Sequence, residues 1–261
     1  MALPTIRRKS HNDKREATKS KKCRKLTFSI VFYKTGHECP RFAVSHSLLR
    51  RRRPMHRTLI TPWKPTKAQI LAARDKVIPD LAARNLNVLF AGINPGLYTA
   101  AIGHHFGRPG NRFWPALHGG GFTPRLFSPF EAPLLLDLGY GITNVVERAT
   151  ARADELTDDE LRAGGRRLEA KVRRWRPTVV AFVGIQPYRV VSGIKDARVG
   201  LQEPLFGGSH AWVLPNPSGL NAHYLPAALA ELFGELRVWA IAEHERRKIE
   251  KSQMGRRERS T

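Results

Sequence analysis

A neutral carboxamide wedged between an apolar run and a proline is the first feature of this sequence with chemical potential. Gly92-Ile93-Asn94-Pro95-Gly96 closes the run Val88–Ile93. An asparagine carbonyl can orient a water, yet the group is a poor proton acceptor at any physiological pH. A second loop, Leu214-Pro215-Asn216-Pro217-Ser218-Gly219-Leu220-Asn221, is likewise stiffened by proline and opened by glycine. Turns of this kind let backbone N–H groups approach a ligand closely. Taken alone, each is an ordinary turn. The segment Gly103-His104-His105-Phe106-Gly107-Arg108-Pro109-Gly110-Asn111-Arg112-Phe113-Trp114 brings aromatic, histidine and arginine side chains into a glycine-rich stretch. Aromatics beside a basic loop suit stacking on a nucleic-acid base. Phe113 and Trp114 read as the core-facing start of a helix, whereas Phe106 sits in the loop itself.

Other signals point away from a nucleophilic serine, a metal or a cofactor. His118-Gly119-Gly120-Gly121 has the look of an oxyanion loop, but the chain has no Gly-x-Ser-x-Gly nucleophile elbow. His104-His105 has no further ligands at metal spacing, so no metal is expected; the pair suits contact with phosphate or a place near a pocket rim. No Gly-x-Gly-x-x-Gly or Walker loop appears, and no cofactor is expected.

Together, Gly92–Gly96, Pro109–Trp114 and Asn216–Leu220 resemble, in order and spacing, the signature segments of the mismatch-specific uracil-DNA glycosylases and their thymine-DNA glycosylase relatives. Gly141-Ile142-Thr143-Asn144 and Ala163-Gly164-Gly165-Arg166 fit the same pattern, and the resemblance spans about residues 86–240. It implies an enzyme that flips its target nucleotide out of double-stranded DNA. In that reading Asn94 holds the attacking water and Ile93 helps form the water site through its backbone. Phe106 stacks on the flipped base, Asn216 and its neighbours bind the target nucleotide, and Asn144 adds a polar contact near the base. Thr99 lies where relatives carry small residues near uracil C5, so a 5-methyl group would be crowded. Ser218, Gly219 and Leu220 form the wedge that enters the vacated stack. Ala222 replaces a basic residue that some relatives carry there.

The implied reaction is hydrolysis of the N-glycosidic bond of uracil in G·U or related mispairs, as in base excision repair. Water is the nucleophile, since no lysine is evidently placed for a Schiff base; Lys195 reads as a surface residue. A weak base implies a slow enzyme that relies on positioning and leaving-group stabilisation. Two alternatives stay open: a DNA-binding module without catalysis, and a glycosylase for another damaged base such as ethenocytosine.

The elements that must position these residues are legible in outline. Short strands are expected at Val88–Ile93, Gly141–Val146, Thr178–Val183 and Ala211–Leu214. Helices are expected over Thr66–Leu86, broken near Pro79, after the capping box Thr157-Asp158-Asp159-Glu160, and over Pro226–Ala242. Their alternation predicts an α/β fold, a three-layer α/β/α sandwich with a mainly parallel central sheet, uracil-DNA glycosylase-like. Residues 66–242 are the expected catalytic domain. Residues 1–65 are an expected basic, disordered extension and 243–261 a charged tail. Of the formal charge of +23, residues 1–65 supply most, with 18 Lys and Arg against 3 Asp and Glu. Such a balance favours polyanionic partners. Both cysteines, Cys23 and Cys39, lie in that stretch, so the core has no disulfide or thiolate metal site. No apolar run is long enough for a membrane span. A monomer is expected, cytoplasmic or nucleoid-associated, or nuclear in a eukaryote.

Overall fold

The computed structural model describes residues 63–219 and 224–257, all within a unit that runs from Arg57 to Thr261. The expected extension lies almost wholly outside the described residues, as do Leu220 and Ala222.

Three strands of five residues are buried on both faces: the apolar runs β1 (Val88–Gly92) and β3 (Val179–Val183), and β2 (Tyr140–Asn144), which ends in the polar pair Thr143-Asn144. With β4 (Gly200–Phe206) and β5 (Ser209–Leu214) they form a sheet of order β2-β1-β3-β5-β4. All neighbours are parallel except β4, which pairs antiparallel with β5. Alternate residues serve the two helical layers. Phe90, Ile142, Ala181 and Leu214 pack with α3 (Phe113–Gly119) and α7 (Pro226–Arg257). Leu89, Val180, Phe182 and Val213 pack with α5 (Asp158–Trp175) and α6 (Ile185–Ser192). The three-layer α/β/α arrangement is therefore the observed one. Chain order reverses between β1 and β3, and the loops beyond the carboxyl ends of the strands meet at that switch point.

Helix α5 forms as its sequence dictates. Thr157 and Glu160 exchange reciprocal capping bonds, and Leu161, Leu168 and Val172 are buried along one face. Arg176 ends it in a left-handed conformation just before Pro177.

Four features differ from expectation. The first helix, α1 (Lys67–Leu71), has its Thr66 cap but stops after five residues. Downstream, Val77 bridges Arg148 and Leu81 bridges Ile142, so residues 77–81 are used as extended chain along β2 and the loop after it. Pro79 has no N–H to donate and favours that extended state before it. The antiparallel edge strand β4 was not expected. Its residues are mostly exposed and include Pro204, so no alternation marks it. Helices α2 (Leu97–Ile102) and α4 (Leu134–Asp137) are one turn or little more. Helix α7 continues beyond Ala242 to Arg257, laced by Glu243–Arg247 and Arg246–Glu250 pairs one turn apart.

Close packing of α5 on the loop after β2 depends on Gly164, where a β-carbon would sit 2.3 Å from the Val145 carbonyl oxygen. In a free helix Gly→Ala gains about 1 kcal/mol. Here the clash is with backbone, and overpacking costs about 1–3 kcal/mol. Gly164→Ala is therefore expected to lower stability, read as a reduced urea midpoint with unchanged m value.

Candidate active site

Asn94 leaves β1 into a loop that is zipped to the segment following β2. Val145 N–H donates to the Gly92 carbonyl, Val146 N–H to that of Ile93, and Thr150 N–H to that of Pro95. Leu97 N–H donates in turn to the Thr150 carbonyl. Within this brace the Asn94 amide nitrogen donates to the Arg148 carbonyl at 3.0 Å and to Thr150 Oγ1 at 2.8 Å. A carbonyl can only accept, and the Thr150 hydroxyl already donates to the Arg152 carbonyl at 2.7 Å. Both contacts thus require the NH2 group on that side. The side-chain orientation is fixed by chemistry, and Oδ1 is left as the acceptor available to the cleft.

Arg148 is itself anchored. Its guanidinium takes both carboxylate oxygens of Glu160, at 2.7 and 3.1 Å. That pairing, with the cap bond to Thr157, holds Glu160 down at about 2. Neither Arg148 nor Thr150 was anticipated, because one acts through its backbone carbonyl and the other as a support for a neighbour.

The cleft holds about 720 Å³. It is lined by Ile93, Asn94 and Thr99, by His105, Phe106 and Asn144, and by Asn216 and Ser218. Seven of the site residues named from sequence therefore converge on one cavity. Gly219 lies next to it, on a smaller pocket of about 310 Å³ shared with Ser218 and Arg108. Thr99 is buried on α2.

Phe106 has a left-handed backbone, φ 53°, inside the loop 103–107. Its ring stacks on buried Phe113, with centroids 3.8 Å apart and planes 16° from parallel. Trp114 Nε1 donates to the His105 carbonyl, tying the same loop to α3. One ring face is thus spent on the core, while the residue also borders the cleft. Its edge and the Asn144 Oδ1 both lie against Gly92: a β-carbon there would stand 2.6 Å from Oδ1 and 3.2 Å from the ring. Glycine at the end of β1 is what permits the close approach.

His105 borders the cleft, near the expected pocket rim, but its partners were not legible in the sequence. Its Nε2 lies 3.0 Å from the Pro79 carbonyl, so Nε2 carries the proton. Nδ1 is then the acceptor toward Asn144 Nδ2, at 3.5 Å. Burial pushes the imidazole below its ordinary value; the Pro79 contact and Asp80 oppose this, and His104 adds to it. The adjacent His104, half-buried against Phe130, is also lowered by burial. Among the described residues no cluster of three metal-ligating side chains occurs.

Arg112 ties the second loop to the aromatic segment. Its N–H donates to the Pro217 carbonyl at 2.9 Å, Nη1 to that of Tyr224 at 2.8 Å, and Nη2 to that of Gly219 at 3.3 Å. Asn216 Oδ1 accepts from Ser218 N–H at 3.0 Å, an Asx turn that shapes the loop. Arg108, Arg152 and Asp154 also border the cleft; the last two are paired at 2.6 Å.

A histidine held neutral by the folded state makes stability depend on pH. The unfolded chain binds the proton with a pKa near 6.5 and the folded chain binds it less readily. The unfolded state therefore holds more protons below that value. Stability contributed by His105 is complete above about pH 6.5 and falls as the solution is acidified, by at most about 1.4 kcal/mol per pH unit for one proton. His105→Gln keeps one donor and one acceptor without titrating. Urea unfolding measured between pH 7 and 5 should show a shallower acid decline in that variant than in the wild type.

Comparison with known proteins places this geometry. The solution structure of a Methanosarcina acetivorans chain, provisionally assigned as a uracil DNA glycosylase, aligns with 62% of this chain and 98% of its own. Identity is 17% and the TM-score 0.43, values that add nothing to the assignment. The assignment rests instead on sequence. Residues 79–237, which hold every site residue described above, match the Uracil DNA glycosylase superfamily, and the chain belongs to that superfamily.

Proposed function

We propose that this chain is a monofunctional, mismatch-directed glycosylase that hydrolyses the N-glycosidic bond of uracil in double-stranded DNA. The observation that carries the reading is the Asn94 carboxamide. Its two hydrogens are committed to protein, and its oxygen is left to a cleft wide enough for a flipped base. A water accepted there would be oriented rather than strongly deprotonated. Rate enhancement then comes from holding that water in line with the sugar and from donors that meet negative charge on the departing base.

The remaining roles follow from position. Phe106 is a rigid platform for the base, since Phe113 already supports its other face. Asn144, braced by His105, offers polar contact to the base edge. Asn216 and Ser218 border the same cleft and bind the target nucleotide. Ser218, Gly219 and Leu220 enter the gap left in the stack, which favours mispairs that open readily. Among the described residues lining the cleft there is no lysine, which supports water over an amine as nucleophile. The partner is duplex DNA carrying G·U or related mispairs, and binding should weaken as salt rises.

Two substitutions test this reading. Asn94→Ala should reduce release of uracil from a G·U duplex by at least about a hundredfold while leaving duplex affinity within about threefold, scored as abasic sites and by anisotropy. A wild type that binds the duplex but releases no base would instead establish a non-catalytic binding module. A panel of single-lesion duplexes, ethenocytosine included, ranks the substrates. Thr99→Ala should raise thymine release from G·T relative to uracil release from G·U, because it removes the branched side chain from the cleft wall. An unchanged ratio would remove Thr99 from the specificity argument.

A further inference from the structure

Two arginines border the cleft, and their surroundings differ. Arg152 is paired with Asp154 at 2.6 Å, and that carboxylate lines the cleft as well. Its charge is answered within the protein. Arg108 is exposed, and among the described residues its guanidinium has no hydrogen-bond or ion-pair partner. Such a group keeps its full attraction for an external anion. Topology sets the two arginines apart. Residues 150–154 follow β2, on one side of β1. The segment 108–112 is docked on the loop after β5, beyond β3: Arg112 N–H donates to the Pro217 carbonyl, and a β-carbon on Gly219 would stand 2.6 Å from the Gly110 carbonyl oxygen. Arg108 lines not only the cleft but also the adjoining pocket of about 310 Å³, with Gly110, Asn111, Arg112 and Ser218. No acidic residue lines that pocket among the described residues. Gly110 is left-handed, φ 81°, and nothing lies within 4 Å of where its β-carbon would stand, so the wall is open there.

We propose that Arg108 binds a phosphodiester of the target strand beside the flipped nucleotide, on the rim shared by the base cleft and the adjoining pocket. This rests on the glycosylase reading above. A base cannot enter the cleft without drawing its sugar and flanking phosphates to the rim. There a phosphate meets the Asp154 carboxylate on one side and an unanswered guanidinium on the other. The planar fork of Arg108 can take two non-bridging oxygens in parallel, which fixes orientation as well as charge. The β5 side of the cleft therefore carries the backbone of the extruded nucleotide.

The experiment measures anisotropy with G·U duplexes in which single methylphosphonates replace the linkages on either side of the uracil, one at a time. An Asn94→Ala background prevents turnover. In that background at least one neutral linkage should weaken binding by about fivefold or more. Adding Arg108→Gln should weaken binding to the unmodified duplex by a similar factor and reduce the salt slope by about one. It should also erase the penalty of that one linkage. Arg108→Lys, which keeps the charge, should retain part of the affinity. Arg84, exposed and ahead of β1 at the far end of the sheet, is the control: Arg84→Gln should leave the linkage penalty as it was. Thermal melts should be unchanged in all variants. The inference is overturned if no linkage is sensitive in the background protein, if the penalties survive in Arg108→Gln, or if Arg84→Gln erases them equally. A melt lowered in both the Gln and Lys variants also overturns it, by making Arg108 a residue of the fold. Failure of the wild type to release uracil from the unmodified duplex is a separate result and counts against the glycosylase reading.

Discussion

Two hydrogen bonds to one carboxamide govern what this cleft can do. The Arg148 carbonyl and the Thr150 hydroxyl both face Asn94 as acceptors, and together they decide which end of the amide meets solvent. A carboxylate in the same place would set an oxygen against the Arg148 lone pairs and, unless Thr150 turned, against those of its hydroxyl as well. The scaffold thus selects a neutral group at this point. A stronger base would need a rebuilt loop after β2, since substitution at position 94 alone leaves the acceptors in place.

That cradle is assembled from distant parts of the chain. Asn94 follows β1, and its partners follow β2. Arg148 is fixed by Glu160, which also completes the cap of α5. On the far side of the cleft, Phe106 leans on Phe113, and Arg112 reaches from the same segment to the loop after β5. The sheet provides the frame. Parallel strands deliver their carboxyl ends to one edge, and the reversal of order between β1 and β3 opens the space there.

Much of this was legible in the sequence, and the failures have physical causes. Strands β1 and β3 and helix α5 announce themselves through unbroken apolar runs and a capping box. Asn94, Phe106 and Asn216 stand out because their loops combine proline, glycine and polar side chains. Arg148 and Thr150 do not, since a backbone carbonyl and a supporting hydroxyl leave no side-chain signature. His105 read as one of a loose histidine pair; only the fold reveals that Pro79 fixes its tautomer. The stretch 66–86 has helical spacing, but pairing of Val77 and Leu81 with the β2 region outweighed local propensity. Beyond Ala242 the apolar period fades while charge pairing carries α7 onward.

The outer flanks of the sheet bear on life near a polyanion. A chain drawn to nucleic acid is crowded there against copies of itself, and an open strand invites them to zip together. One flank is closed by the bridge from Leu81 to Ile142. The other presents Leu201 and Leu205 to solvent, an apolar lure. Yet Pro204 interrupts its row of donors, and its pairing with β5 slips between Gln202 and Phe206. The irregularity that hid this strand from the sequence pattern also denies a neighbour a regular ladder to extend, so high occupancy along a duplex need not end in fibrous association.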